Sequence, residues 1–317
     1  MKLGIGITTF PWPAEEIGPR VARIATAADE AGVDSLWVMD HFFQIRLTGL
    51  PPESPMPEAY AMLAFLGGLT KKIKLGTLVT SVSYRHPGVL VKTVTSLDVL
   101  TGGRVIFGVG AGAPWNIAPA GPGTAFEAEG LGIPFSSLAE RFERLEELLQ
   151  IAHQMWRGDE SPYQGRHYQL VRPLNSPNSL QRPHPPILIG GSGERKTLRL
   201  VAQYADACNL FDIQGSQFRD NLARKLRILE DHCAQAGRDF AAIEKTVSTT
   251  FNLGEDRKAG AAALLDHLRD LAAAGIDTAL ASPLPAWDEE SFDAITSILP
   301  DIHAIEPKRA SSKITDR

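Results

Sequence analysis

Strand-like and helix-like segments alternate along this chain from end to end, and that alternation is what most narrows the fold, because consecutive parallel strands need crossover connections and helices supply them. Leu3 to Thr8 reads as a buried strand, followed by a helix over Ile17 to Glu30 whose apolar Val21, Ile24 and Ala28 recur at helical spacing and which Gly32 closes. Ser35 to Met39 is the next strand. A helix near Ala59 to Leu69 leads to a strand over Ile73 to Val79, and a helix over Pro87 to Leu100 leads to one over Val105 to Val109. Ser137 and Glu140 read as a capping box opening a helix with Leu138, Phe142, Leu145, Leu149 and Ala152 on one stripe. The second half repeats the logic. Ile187 to Ile189, Ala207 to Leu210, Ile243 to Thr250 and Thr278 to Ala281 are strands, separated by helices near Arg195 to Tyr204, Gln217 to Ala236 and Ala259 to Ala274, with a last helix near Phe292 to Ile305.

About eight such units point to an α/β fold of the closed (β/α)8 TIM-barrel type, whereas a doubly wound sheet usually has fewer strands. A chain of 317 residues is expected to form one domain over 1–317, with insertions at about 111–136 and 157–185 and a polar tail after 306. Long loops in compact domains usually cover a site. Tyr163 to Tyr168, inside the second insertion, reads as a short hairpin.

Composition removes several function classes. The net charge of -5 is spread without a basic stripe, so neither nucleic acid nor a membrane surface is an expected partner. The only cysteines, Cys208 in a strand and Cys233 in a helix, are too few for a disulfide framework or a zinc site, which fits a reducing, cytoplasmic setting. No secretory signal pattern or membrane-length apolar run is read in the sequence.

Chemistry is expected where strands end. Asp40 and His41 follow the run Ser35 to Met39, and a carboxylate beside an imidazole at a barrel strand's exit can assist proton or hydride transfer near neutral pH. The structural alternative is that Asp40 caps a turn and His41 packs. No partner histidine or carboxylate cluster at ligand spacing accompanies them, so no metal is expected. Gly190, Gly191, Ser192, Gly193 and Glu194 follow a strand and open a helix, an arrangement that lets backbone amides approach a phosphate. Gly108 to Ala113 superficially matches a dinucleotide fingerprint, but Pro114 and a Gly/Pro-rich excursion stand where a helix is required. The strand exit at Gly110, Ala111 and Gly112 still allows a flat ring to lie on the backbone, with Trp115 and Asn116 as wall and hydrogen-bonding group for a substrate. His86 before Pro87 marks a helix start, and the default for Arg85 is surface pairing.

Jointly these segments resemble the bacterial-luciferase-like flavin and deazaflavin oxidoreductases, most nearly the branch that uses coenzyme F420. The matching stretches are Leu36 to Phe42, Leu75 to Thr80 with Tyr84 to Pro87, Leu97-Asp98 with Gly102 to Arg104, Gly108 to Gly112, Leu138 to Glu146 and Pro185 to Gly191. The resemblance implies a cofactor ring across the barrel mouth, its phosphate at Gly191 to Glu194, His41 as the active-site histidine and Asp40 near the ring. It also implies a non-proline cis peptide near Leu78-Val79, with Thr77, Leu78 and Val79 against the ring, and a homodimer formed through helices of the first half. Two departures matter: Ala113 stands where the sugar-phosphate dehydrogenases of this family have an acid, and Ala111 where the luciferase branch places an arginine for the flavin phosphate. The expected activity is F420-dependent hydride transfer to or from a small organic substrate. The alternatives are an FMN-dependent, oxygen-using monooxygenase in the same cavity and, more remotely, a cofactor-binding protein without turnover.

Overall fold

The computed structural model describes residues 1–45, 48–112, 116–117, 121–122, 124–211, 218–284 and 286–308. In chain order its main elements are β1 (Lys2–Ile7), α1 (Ala14–Ala31), β2 (Ser35–Val38), α2 (Ala59–Leu69), β3 (Lys74–Thr77), α3 (Pro87–Leu100), β4 (Val105–Gly110), α4 (Thr124–Gly130) and α5 (Leu138–Trp156). There follow β5 (Ile187–Gly190), α6 (Thr197–Tyr204), β6 (Ala207–Phe211), α7 (Phe218–Ala236), β7 (Glu244–Phe251), α8 (Arg257–Ala273), β8 (Thr278–Pro283), α9 (Glu289–Ser297) and α10 (Leu299–His303). Every pairing among β1 to β8 is parallel. The sheet closes through Lys2↔Thr278 between β1 and β8 and Ile187↔Phe107 between β5 and β4. It is the expected (β/α)8 barrel.

Closure explains the burial pattern. Strands covered by helices outside and by one another inside are apolar on both faces, and all six residues of β8 and five of the six in β1 are buried. Trp37 fills the interior with Leu188, Ala207 and Leu280, its indole Nε1 donating to Ser35 Oγ at 2.8 Å. Its bulk explains a small residue on the next strand, since a Cβ at Gly76 would lie 2.6 Å from the indole. Gly108 answers to a closer approach still, as a Cβ there would sit 1.8 Å from the Thr77 carbonyl oxygen.

Several boundaries differ from expectation. β3 ends at Thr77 rather than Val79; a cis peptide joins Leu78 to Val79, and pairing resumes when Thr80 and Ser81 align with Val109 and Gly110 of β4. The terminal helix is two, because Ile298 caps α9 and Pro300 lies in the first turn of α10, where its missing N–H costs nothing. The capping box is half made: Ser137 Oγ accepts from the Glu140 amide at 3.3 Å, while the Glu140 carboxylate accepts from Arg144 instead of returning to Ser137. On α5, Leu145, Leu149 and Ala152 are buried as their spacing implies, but Leu138 is 51% exposed. The second insertion carries the expected hairpin, Tyr163–Gln164 against Gln169–Leu170, its turn held by Glu147 accepting from the amides of Arg166, His167 and Tyr168. In the first, Asn116–Ile117 pairs with Gly121–Pro122 ahead of α4.

Candidate active site

Asp40 and His41 leave the C-terminal end of β2, and the structure gives each a separate partner. Asp40 is buried and accepts from Arg85, Nη1 to Oδ2 at 2.5 Å and Nη2 to Oδ1 at 3.0 Å. Arg85 also donates to Glu58 and lies over the rings of Tyr60, at 4.7 Å, and Phe42, at 5.7 Å. Burial alone would push the Arg85 pKa down, but the hydrogen bonds it donates to Asp40 and that residue's charge hold it above its usual range. Surface pairing was therefore the wrong expectation for Arg85; its side chain is 15% exposed and its two acceptors, carried by β2's exit and the start of α2, fix it beneath the mouth. Asp40 does not cap a turn, nor does it bond His41.

The imidazole is held from another element. His41 Nδ1 lies 2.8 Å from Glu127 Oε1, the Phe43 amide donates to the same oxygen at 3.3 Å, and the Tyr84 hydroxyl donates to Oε2. Glu127 lies on α4 with its side chain 2% exposed, against 18% for His41. Sequence reading missed Glu127. A signal existed: residues 111–126 contain no charged side chain, so the first carboxylate after that stretch lies on the short helix leading back to the barrel.

Asp40 and His41 border a cavity of about 380 Å³ at the barrel mouth, within the usual size range of small-molecule sites. Of the expected site residues, Asp40, His41, Leu78, Val79, Gly110, Ala111, Gly112, Gly190, Gly191 and Ser192 line it, together with Leu138, Phe142 and Leu145 of α5. Leu138 is solvent-facing because it faces this opening. Thr77 is not in the lining: its hydroxyl donates to Gly108 O at 2.8 Å and accepts from Thr80 Oγ1 at 3.1 Å, which in turn bonds the Tyr60 hydroxyl. Trp115 lies outside the described residues, and of Asn116 only its backbone pairing is described.

Across the cavity from His41, the backbone turns from β5 into α6 through Gly190 to Lys196. Gly191 has φ 124°, a conformation L side chains avoid, and a Cβ on Gly193 would lie 2.9 Å from Thr197 Oγ1. The amides of Ser192, Gly193 and Glu194 donate to no acceptor among the described residues. The Glu194 carboxylate does not compete for them; it accepts from Lys225 at 2.7 Å and pairs with Arg224 at 3.0 Å, and the Lys225 bond leads in drawing its pKa below the ordinary range. Of this loop, Gly190, Gly191 and Ser192 line the cavity, and Gly193 and Glu194 continue it toward α6. Free amides at a helix start opposite a mostly apolar wall suit a flat ring bearing a phosphate. Thiol chemistry finds no place here, since burial pushes Cys208 up to about 12 and Cys233 up to about 11. No group of three or more metal-ligating side chains occurs among the described residues.

A sequence profile described as luciferase-like monooxygenase matches residues 1–304. The chain belongs to that family. An F420-dependent glucose-6-phosphate dehydrogenase from Nakamurella multipartita is 30% identical over 250 residues, a stretch covering 77% of this chain and 67% of that protein. One from Amycolatopsis mediterranei is 30% identical over 74% of this chain and 63% of its own length. The fold is shared with an F420-dependent secondary alcohol dehydrogenase solved with an F420-acetone adduct, at TM-score 0.77, 18% identity and coverage of 95% of this chain and 99% of that one. It is also shared with the oxygenating constituent of 3,6-diketocamphane monooxygenase from Pseudomonas putida in complex with FMN, at TM-score 0.67, 18% identity and coverage of 98% and 100%.

Proposed function

We propose that this luciferase-like chain is an F420-dependent oxidoreductase that moves a hydride between the deazaflavin and a small organic substrate, working as one unit over its whole length. The observation that carries this reading is the pairing of two features across one cavity: an imidazole tied to a buried carboxylate on one side, and a glycine loop with free backbone amides on the other. The names of the relatives at 30% identity point to the same cofactor.

The residues fit such a cofactor. Leu78, Val79, Gly110 and Ala111 would bear the ring, and the amides from Ser192 to Glu194 the phosphate. When bound, the deazaflavin supplies or accepts the hydride, and the protein contributes binding, orientation and electrostatics. His41 holds or moves the substrate proton at its free nitrogen. Asp40, locked by Arg85, keeps a fixed negative charge at the cavity floor. Apolar side chains of α5 exclude water from the reacting centre.

The second reading, an FMN-dependent monooxygenase, is favoured by the FMN-bound neighbour in the same fold. Against it, no lysine or arginine lines the cavity among the described residues, and Ala111 offers no charge to a flavin phosphate. Anaerobic assays with F420 and a panel of alcohols, beside oxygen-uptake assays with reduced FMN, separate the two: deazaflavin reduction without oxygen supports the proposal, and oxygen consumption with FMN alone sinks it. A cofactor carrier without turnover would bind F420 but show no rate that His41→Ala changes.

Two accompanying proposals are weaker in consequence. A homodimer through α2 and α3 would cover Phe65, Leu69, Val89 and Leu100, apolar side chains that are exposed in the single chain; light scattering returning the monomer mass would refute it. A cytoplasmic setting fits two buried free thiols and the absence, among the described residues, of a helix long and apolar enough to cross a membrane.

A further inference from the structure

Glu127 is buried; its carboxylate accepts from the Phe43 amide at 3.3 Å and from the Tyr84 hydroxyl, and lies 2.8 Å from His41 Nδ1. An ionised carboxylate only accepts, and a side chain collecting an amide, a hydroxyl and an imidazole nitrogen is satisfied in that form. The proton between Glu127 and His41 then resides on Nδ1. A neutral imidazole with Nδ1–H carries a bare lone pair on Nε2. His41 lines the mouth cavity, and its second nitrogen has no partner among the described residues.

We infer that Glu127, braced by Tyr84, is a positioning residue that keeps His41 in the Nδ1–H form, so that Nε2 is presented to the cavity as a proton acceptor. This rests on the hydride-transfer reading above and deepens it by naming the residue that sets the protonation form of His41. Were a bound deazaflavin to accept hydride from a hydroxyl-bearing carbon, Nε2 would take the O–H proton as the C=O bond forms. The reverse reaction returns the proton from the same nitrogen.

The arrangement comes from the fold. β2 delivers His41 from one strand exit, the segment before α3 delivers Tyr84, and α4 brings Glu127 to both. A seven-residue helix thereby supplies the buried acid for a histidine 86 residues earlier.

The test is nitrogen NMR of the full chain labelled with 15N-histidine, recorded at a pH where the imidazole is neutral, with His41→Gln assigning the signal. The inference expects the Nδ1–H pattern for His41 in the wild type, its retention in Tyr84→Phe, and a shift toward the Nε2–H form in Glu127→Ala. An Nε2–H wild type overturns it, and so does an Nδ1–H pattern unchanged in a folded Glu127→Ala; the wild-type spectrum alone decides if that variant does not fold. None of this depends on bound cofactor, so it can fail while the F420 reading stands. In turnover with F420, Glu127→Ala should lower kcat on the order of 10²-fold with little change in KM. A KM effect alone would reduce Glu127 to a structural role and overturn the inference.

Discussion

At the N-terminal end of the barrel, Asp34, Asp206 and Asp277 each stand one residue before a strand and accept the backbone amide of the strand preceding it: Leu3 at 2.9 Å, Ile187 at 2.8 Å and Lys245 at 2.8 Å. Asp29 does the same for a whole turn, taking the amides of Lys71, Lys72 and Ile73. At the C-terminal end, Asp40 and Glu127 hold side chains beside the cavity, an arginine in one case and a histidine and tyrosine in the other, with Glu127 also accepting the Phe43 amide. Carboxylates spent on main-chain amides, with Asp34 and Asp277 also pairing with His303 and Lys245 away from the cavity, lock strand register. Carboxylates that hold ionisable side chains fix charge and proton position beside a cavity. The division follows the barrel rule that chemistry sits at the strands' C-terminal ends and stability at the other.

The comparison can be broken by substitutions at either end. The largest effect is expected for His41→Ala, which should lower turnover by about 10²- to 10⁴-fold while its thermal melting stays close to the wild type; equal rates would remove His41 from the chemistry. Next comes Arg85→Met. It leaves Asp40 buried without its cation and should cost about 3–5 kcal/mol in urea unfolding, part of it returned by adding Asp40→Asn. An unchanged unfolding midpoint would contradict the buried-pair account.

At the opposite end, Asp29→Ala should cost about 1–3 kcal/mol with kcat unaltered, because the amides at the 71–73 turn lose their acceptor. Burial works to raise the Asp29 pKa, but the three amides outweigh it and hold it below the ordinary carboxylate range. The carboxylate's contribution is therefore complete above the unfolded value of about 3.9 and is lost as pH falls through the lower folded value. The stability gap between wild type and Asp29→Ala should be constant above that pH and close below it, as acid-unfolding curves of the two would report. The smallest effect is expected for Asp277→Ala, about 0.5–1.5 kcal/mol, since its side chain is 34% exposed.

The barrel was legible because its periodicities are local. α2 and α3 begin and end where apolar spacing, Pro87 and the flanking turns place them, and the strand pattern needed only closure to become a sheet. The glycine loop and the pair Asp40-His41 were legible as residues at strand exits. Their partners were not. Arg85 reads as a surface residue until Glu58 and Asp40, distant in sequence, converge on it, and Glu127 sits behind an uncharged Gly/Pro-rich stretch that carries no periodicity. Helix splitting at Pro300 was visible in principle, whereas the shift of pairing from Thr77 to Thr80 depends on how β4 lies beside it.

The most direct test of the account is a titration of the purified protein with oxidised coenzyme F420 and, separately, with FMN, followed by cofactor fluorescence. Micromolar binding of F420 with little response to FMN is the predicted result. Tight FMN binding with no F420 response would contradict the assignment of the cavity to a deazaflavin.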